Sequence, residues 1–153
     1  MPLHRAMTVE SIIVKVDRQH VFHIARTYPK FVRAFRKTKV LLDADKTNVF
    51  EIYSSLLGMP VSWIGKGRRK AYSEIRFLQL KGLLRGLRAA WRFEVIPEGT
   101  RVTIRTEFKI RTPIVGKILR RVFVNKVQTT TRAILNDLKV AAESEIYSMT
   151  IDH

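Results

Sequence analysis

Cysteine is absent from the 153 residues, which excludes disulfides and thiolate metal sites and removes any thiol nucleophile. Long apolar runs are missing as well. No stretch reaches the roughly 18 residues of a membrane-crossing helix, and residues 1–7 carry no signal-like run. The expectation is a cytoplasmic chain, peripheral to a membrane at most. Gly65-Lys66-Gly67-Arg68 lacks the glycine spacing and following helix of a phosphate loop, and no serine nucleophile elbow occurs. Acidic residues are scarce: 13 Asp/Glu face 29 Lys/Arg, a formal charge of +16.

The excess cations are clustered. Residues 26–39 hold six Lys/Arg and no acid, residues 65–92 hold nine against Glu74, and residues 101–132 hold nine against Glu107. Such a field attracts polyanions, either phospholipid surfaces or nucleic acid, besides keeping the chain soluble. Nucleic acid is the less expected partner, because aromatics are few and no recognised RNA- or DNA-binding pattern appears.

Residues 113–143 organise the rest. Val115, Ile118, Leu119, Val122, Phe123, Val127, Ile134, Leu135, Leu138, Ala141 and Ala142 recur every three to four residues, one apolar stripe on a long helix. Thr112 suits its cap and Pro113 its first position. Thr130 and Thr131 interrupt the stripe with hydroxyls, so this part of the helix faces either solvent or a hollow.

Upstream, residues 8–17 alternate as a strand, Asp17 caps a helix that ends before Tyr28-Pro29, and residues 30–35 are expected to form a second short helix. Period two then sets in: residues 39–42, a strand marked by Phe50 and Ile52, and one marked by Val61, Trp63 and Gly65 that stops at the basic, glycine-rich residues 65–69. Residues 71–80 form a further strand of ambiguous facing. Trp91, Phe93 and Val95, then Val102, Ile104, Thr106, Phe108 and Ile110, form the dry face of a hairpin around Pro97-Glu98-Gly99. The class is α+β, with residues 8–145 as one domain, 1–7 disordered or extended, and 146–153 a tail.

If consecutive strands pair antiparallel, the turns sort into two ends. Residues 43–48, 65–69 and 97–99 are polar; residues 56–60, 78–87 and 112–116 are apolar. The apolar end, with Leu57, Met59, Leu83, Leu84 and Leu87 beside Arg85 and Arg88, reads as a rim for docking on anionic membranes, unless these leucines pack on the long helix. The inward aromatics are expected to be Phe50, Tyr53, Trp63, Trp91, Phe93 and Phe108, with Val122 and Thr130 facing them from the helix. Cyclisation chemistry would need Tyr53, Tyr72, Glu74 and Arg76 turned inward, whereas an exposed Glu74–Arg76 pair is the plainer expectation. His20 and His23, near Asp17, lack a third ligand, so no metal and no cofactor are expected.

The order of elements, Tyr28-Pro29-Lys30-Phe31, Trp91-Arg92-Phe93, Thr100-Arg101-Val102 and Phe108 before Pro113 resemble the polyketide cyclase/dehydrase and coenzyme-Q-binding families. These belong to the START-like, birch-pollen-allergen-like helix-grip superfamily, and the resemblance covers residues 8–143. It implies a seven-stranded antiparallel sheet curved around the C-terminal helix, two short helices between strands 1 and 2, and a tunnel for a lipid, quinone or polyketide. By position, Tyr28 and Phe31 would close that tunnel and Trp91 and Phe93 would line it. The reading that follows is a non-enzymatic binder of a hydrophobic small molecule. The alternatives are an aromatase/cyclase and a ribosome- or RNA-associated regulator.

Overall fold

A computed structural model of the chain describes residues 4–56, 58–82, 84–110 and 116–151. The elements run β1 (His4–Val14), α1 (Arg18–Ala25), β2 (Lys37–Asp43), β3 (Thr47–Leu56), β4 (Met59–Lys70), β5 (Glu74–Lys81), β6 (Arg88–Ile96), β7 (Gly99–Ile110) and α2 (Gly116–Ile151). The strands form one sheet in the order β1-β7-β6-β5-β4-β3-β2, antiparallel at every step. The connections after β3, β5 and β7 therefore leave from one end, as the parity argument requires.

The inner face is apolar because alternation delivers one residue in two to it. Phe50 and Ile52 from β3, Ile75 from β5, Trp91 and Phe93 from β6, and Val102 and Ile104 from β7 are all buried there. Helix α2 lies across this face and contributes Ile134, Leu135, Leu138 and Ala142 to the same cluster, and α1 adds Val21, Phe22 and Ala25. The helix also fastens the β1 edge: Lys139 Nζ donates to the Ile13 carbonyl at 2.9 Å, and the Lys15 amide donates to Glu143 at 3.3 Å. The opposite edge, β2, is exposed along nearly its whole length and carries a register shift between Val40 and Leu42.

Three expectations need correction. Residues 30–35 are not a second helix: isolated turns such as Lys30 N–H to Thr27 O and Val32 N–H to Pro29 O stand in place of the helical ladder, and the Arg33 amide donates to Asp137 of α2. Strand β4 does not stop at Gly65 but runs to Lys70, since Gly65 and Gly67 sit on its inner face as close-approach positions. Strand β1 begins at His4, so residues 4–7 of the N-terminus expected to be disordered or extended form part of it. Helix α2 continues to Ile151 beyond the expected end at 143 and tail from 146, while the cap at Thr112 and Pro113 lies outside the described residues.

Candidate functional site

The space between sheet and helix is filled in one half and hollow in the other. Toward Val14, Phe22, Phe93 and Leu138 the core is solid. Under the first half of α2 lies a half-open cavity of about 240 Å³. Its floor is Phe50, Trp63, Gly65, Phe77, Trp91 and Ile104. Its roof is Phe123, Lys126, Val127, Thr130, Thr131 and Ile134, the residues that spacings of three and four bring to one helix face. Tyr28 and Phe35 close one side, and Leu84 and Leu87 border it as well.

Aromatic rings build the deep wall. Tyr28 stands among Phe50 at 5.3 Å, Phe77 at 4.9 Å and Trp91 at 5.1 Å between ring centroids. The tilted and edge-on geometries of these pairs suit their ring quadrupoles. Burial among those rings pushes the Tyr28 hydroxyl pKa up, so it stays protonated and acts as a donor, not a base. Two glycines make the packing feasible: a Cβ on Gly65 would stand 2.7 Å from the Phe50 ring, and one on Gly67 would stand 2.9 Å from Phe77. The polar side chains at the wall are mostly hydroxyls, those of Ser54, Ser55, Ser62, Thr106, Thr130 and Thr131. Thr131 spends its hydroxyl on the Val127 carbonyl at 2.6 Å, and the Gln79 side-chain carbonyl is buried without a partner. Lys126 is the one charged side chain among the described lining residues, which include no carboxylate and no imidazole.

Of the residues expected to contact a ligand, Tyr28, Phe50, Trp63, Trp91 and Thr130 line the cavity. Phe31 packs behind them, 6.0 Å from Tyr28 and 6.5 Å from Trp91. Phe93 belongs to the solid half, against Phe22 at 5.3 Å. Phe108 pairs with Ala6 in a separate buried cluster, and Val122 is half-buried but outside the lining. Sequence reasoning missed Phe35, Phe77, Gln79, Thr106, Phe123, Lys126 and Val127. For Phe77 the signal was present, two residues from Ile75 on the same face.

The catalytic candidates are not assembled in the cavity. Strand β5 turns Ile75, Phe77 and Gln79 inward, so Glu74 and Arg76 form an outer ion pair at 2.8 Å. Tyr53 is exposed, its hydroxyl donates to Glu51 at 2.6 Å, and that hydrogen bond raises its pKa. Tyr72 lies in the β4–β5 turn, its ring edge-on to Phe22 at 5.6 Å.

The docking rim divides in three. Leu57, Leu83 and the Met59 side chain lie outside the described residues. Leu84 and Leu87 are half-buried and pack against the Ala6–Phe108 cluster, as do Phe123, Val124 and Val127 from α2. Arg85 is exposed, and Arg88 is exposed in register with Leu78 and Glu107 on the outer sheet face.

The family described as polyketide cyclase / dehydrase and lipid transport matches residues 21–135. Among solved structures, the Zhui aromatase/cyclase of a Streptomyces species superposes with a TM-score of 0.83 at 15% identity, covering 94% of this chain and 96% of that one. A Thermus thermophilus protein gives 0.78 at 18%, covering 94% and 99%. A START superfamily protein from Mycobacterium smegmatis gives 0.67 at 11%, covering 87% and 97%. No curated protein sequence matches the chain. At these identities the structural likeness establishes the fold. Among the described residues no helix is long and apolar enough to cross a membrane.

Proposed function

The chain belongs to the polyketide cyclase/dehydrase and lipid transport family, and from that premise we propose that it binds one hydrophobic small molecule in the cavity beneath α2, as a carrier and not a catalyst. What supports this reading is the lining itself: an aromatic floor, a roof in which Phe123, Val127 and Ile134 mix with Thr130, Thr131 and the exposed Lys126, and no carboxylate or imidazole among the described lining residues to act as the base. Enolate chemistry of the cyclase kind needs such a group. The volume, about 240 Å³, lies just below the roughly 300–1,000 Å³ usual for small-molecule sites. It favours a compact ring system or a single chain whose end reaches the mouth near Lys126. The unpaired Gln79 carbonyl favours a ligand with a hydroxyl or amide donor.

The direct test is uptake of an apolar fluorescent probe, followed by titration and native mass spectrometry. One equivalent should bind. Thr130→Phe, which places a ring in the cavity, should weaken binding about tenfold or more, as expected when burial worth roughly 1.5–3 kcal/mol is lost. Absence of uptake by the unmodified protein, or full affinity in Thr130→Phe, would remove this reading.

Loading at an anionic lipid surface is the finer part of the proposal. Exposed Lys81 and Arg85 flank the Leu84–Leu87 border of the cavity, which supports approach by that end. Arg85→Gln should weaken binding to phosphatidylserine vesicles about fivefold, the effect of roughly 1 kcal/mol per surface cation. Unchanged vesicle binding would reject the docking while leaving the cavity reading intact.

A further inference from the structure

The strands that line the cavity carry a second pattern on their backs. On β4 the inward glycines alternate with outward Lys66, Arg68 and Lys70; on β5 and β6 the inward aromatics alternate with outward Arg76, Arg88 and Arg92. Strand register assembles these into rows across four neighbouring strands. One row runs Arg68, Arg76, Ala90, Arg105; its neighbours run Lys70, Glu74, Arg92, Thr103 and Lys66, Leu78, Arg88, Glu107. Those twelve positions hold seven cations and two carboxylates.

Ala90 stands at the centre of a ring. Arg76 and Arg105 oppose it across the sheet, roughly 4.8 Å away, and Arg88 and Arg92 flank it along β6 at roughly 6.6 Å. Four arginine positions thus surround a methyl group, with Glu74 and Glu107 at two of the diagonal corners. Arg76 and Arg105 each engage one carboxylate, Glu74 at 2.8 Å and Glu107 at 3.1 Å. Arg88 and Arg92 have no ion pair among the described residues. Arg68 also sits directly opposite Arg76, a like-charge juxtaposition that destabilises a sheet. A cluster in which two carboxylates offset only part of seven cations has its remaining repulsion relieved when an anion fills the centre.

We propose that this outer face binds the phosphate backbone of duplex nucleic acid, with one phosphate seated over Ala90 inside the ring of Arg76, Arg88, Arg92 and Arg105. Arginine's planar fork suits phosphate oxygens better than an ammonium does. The outer positions of β4–β7 bear no aromatic among the described residues, so stacking on unpaired bases, the usual mode for single strands, is not served. Nor does the ring present a cluster of apolar side chains for insertion into lipid: Leu78 is the large one in the grid, and it is half-buried. Backbone contacts carry no base readout, so recognition is indifferent to sequence. This site is independent of the cavity reading, since its side chains point to the other side of the sheet.

The test is anisotropy of two unrelated labelled RNA duplexes across a series of KCl concentrations. Engagement of about four phosphates gives a log–log slope near −3.6, with the two sequences binding alike. Ala90→Glu places a carboxylate inside the ring. It should weaken duplex binding about tenfold and flatten the slope by about one to two, while the melting temperature holds or rises because repulsion is relieved. Ala90→Gln, of equal size and uncharged, should retain affinity within about threefold and the same slope. Probe uptake by the cavity should persist in both variants. As a second variant, Arg88→Gln/Arg92→Gln should reduce the slope by about one, since both arginines serve the same phosphate. Unchanged duplex affinity and slope in Ala90→Glu would overturn the proposal. So would phosphatidylserine vesicle binding lost in that variant while the unmodified protein ignores the duplex.

Discussion

Trp91→Ala will lower the free energy of unfolding by about 3–5 kcal/mol, the largest effect expected from a single side chain here. Trp91 is only 2% exposed and touches three rings, with centroids of Tyr28 and Phe77 at 5.1 Å and of Phe31 at 6.5 Å. The cost rises with residual void, and this site collapses poorly because it borders a space that is already unfilled. Urea unfolding should show a lower midpoint at an unchanged m-value. Trp63 remains as the fluorescent reporter. A loss below about 1 kcal/mol would mean that the aromatic wall contributes little beyond generic burial.

Gly65→Val tests the same wall from the opposite direction. Valine favours strands more than glycine does, so any loss must be steric. A Cβ at position 65 meets Phe50 ring atoms at 2.7 Å, and overpacking of this kind costs about 1–3 kcal/mol. Phe50 has one open direction, into the cavity, so probe uptake should fall together with stability. Adding Phe50→Leu should restore part of both, as coupling between touching residues requires. Full stability and full uptake in Gly65→Val would show that the ring and the strand are not in contact.

The dry faces of β6 and β7 were legible because Trp91, Phe93, Val102, Ile104, Thr106 and Phe108 fall at alternate positions and are all buried, although Val95, placed on the same face, is 68% exposed near the end of β6. Legibility ended where facing depends on position along the strand. Period two assigns Trp91 and Phe93 to one face but does not reveal that the first borders a hollow and the second a filled core. Gly65 and Gly67 read as a turn because glycine's usual role in sequence is chain reversal; their close approach to Phe50 and Phe77 exists only after folding. Leu84 and Leu87 read as an outward rim because loop leucines lack periodicity, and their packing on the Ala6–Phe108 cluster is a tertiary fact. Thr130 and Thr131 were ambiguous between solvent and hollow, and they line the cavity.

Helix α2 rests on two different interiors, permanent side chains beneath Leu135 to Ala142 and vacancy beneath Phe123 to Thr131. A guest there would act as a detachable portion of the hydrophobic core, making folding and occupancy thermodynamically linked. At a hundredfold excess of ligand over its dissociation constant, the native state gains about 2.7 kcal/mol. The folded population would then report how much cargo surrounds the protein, and an empty carrier would be the form most readily cleared.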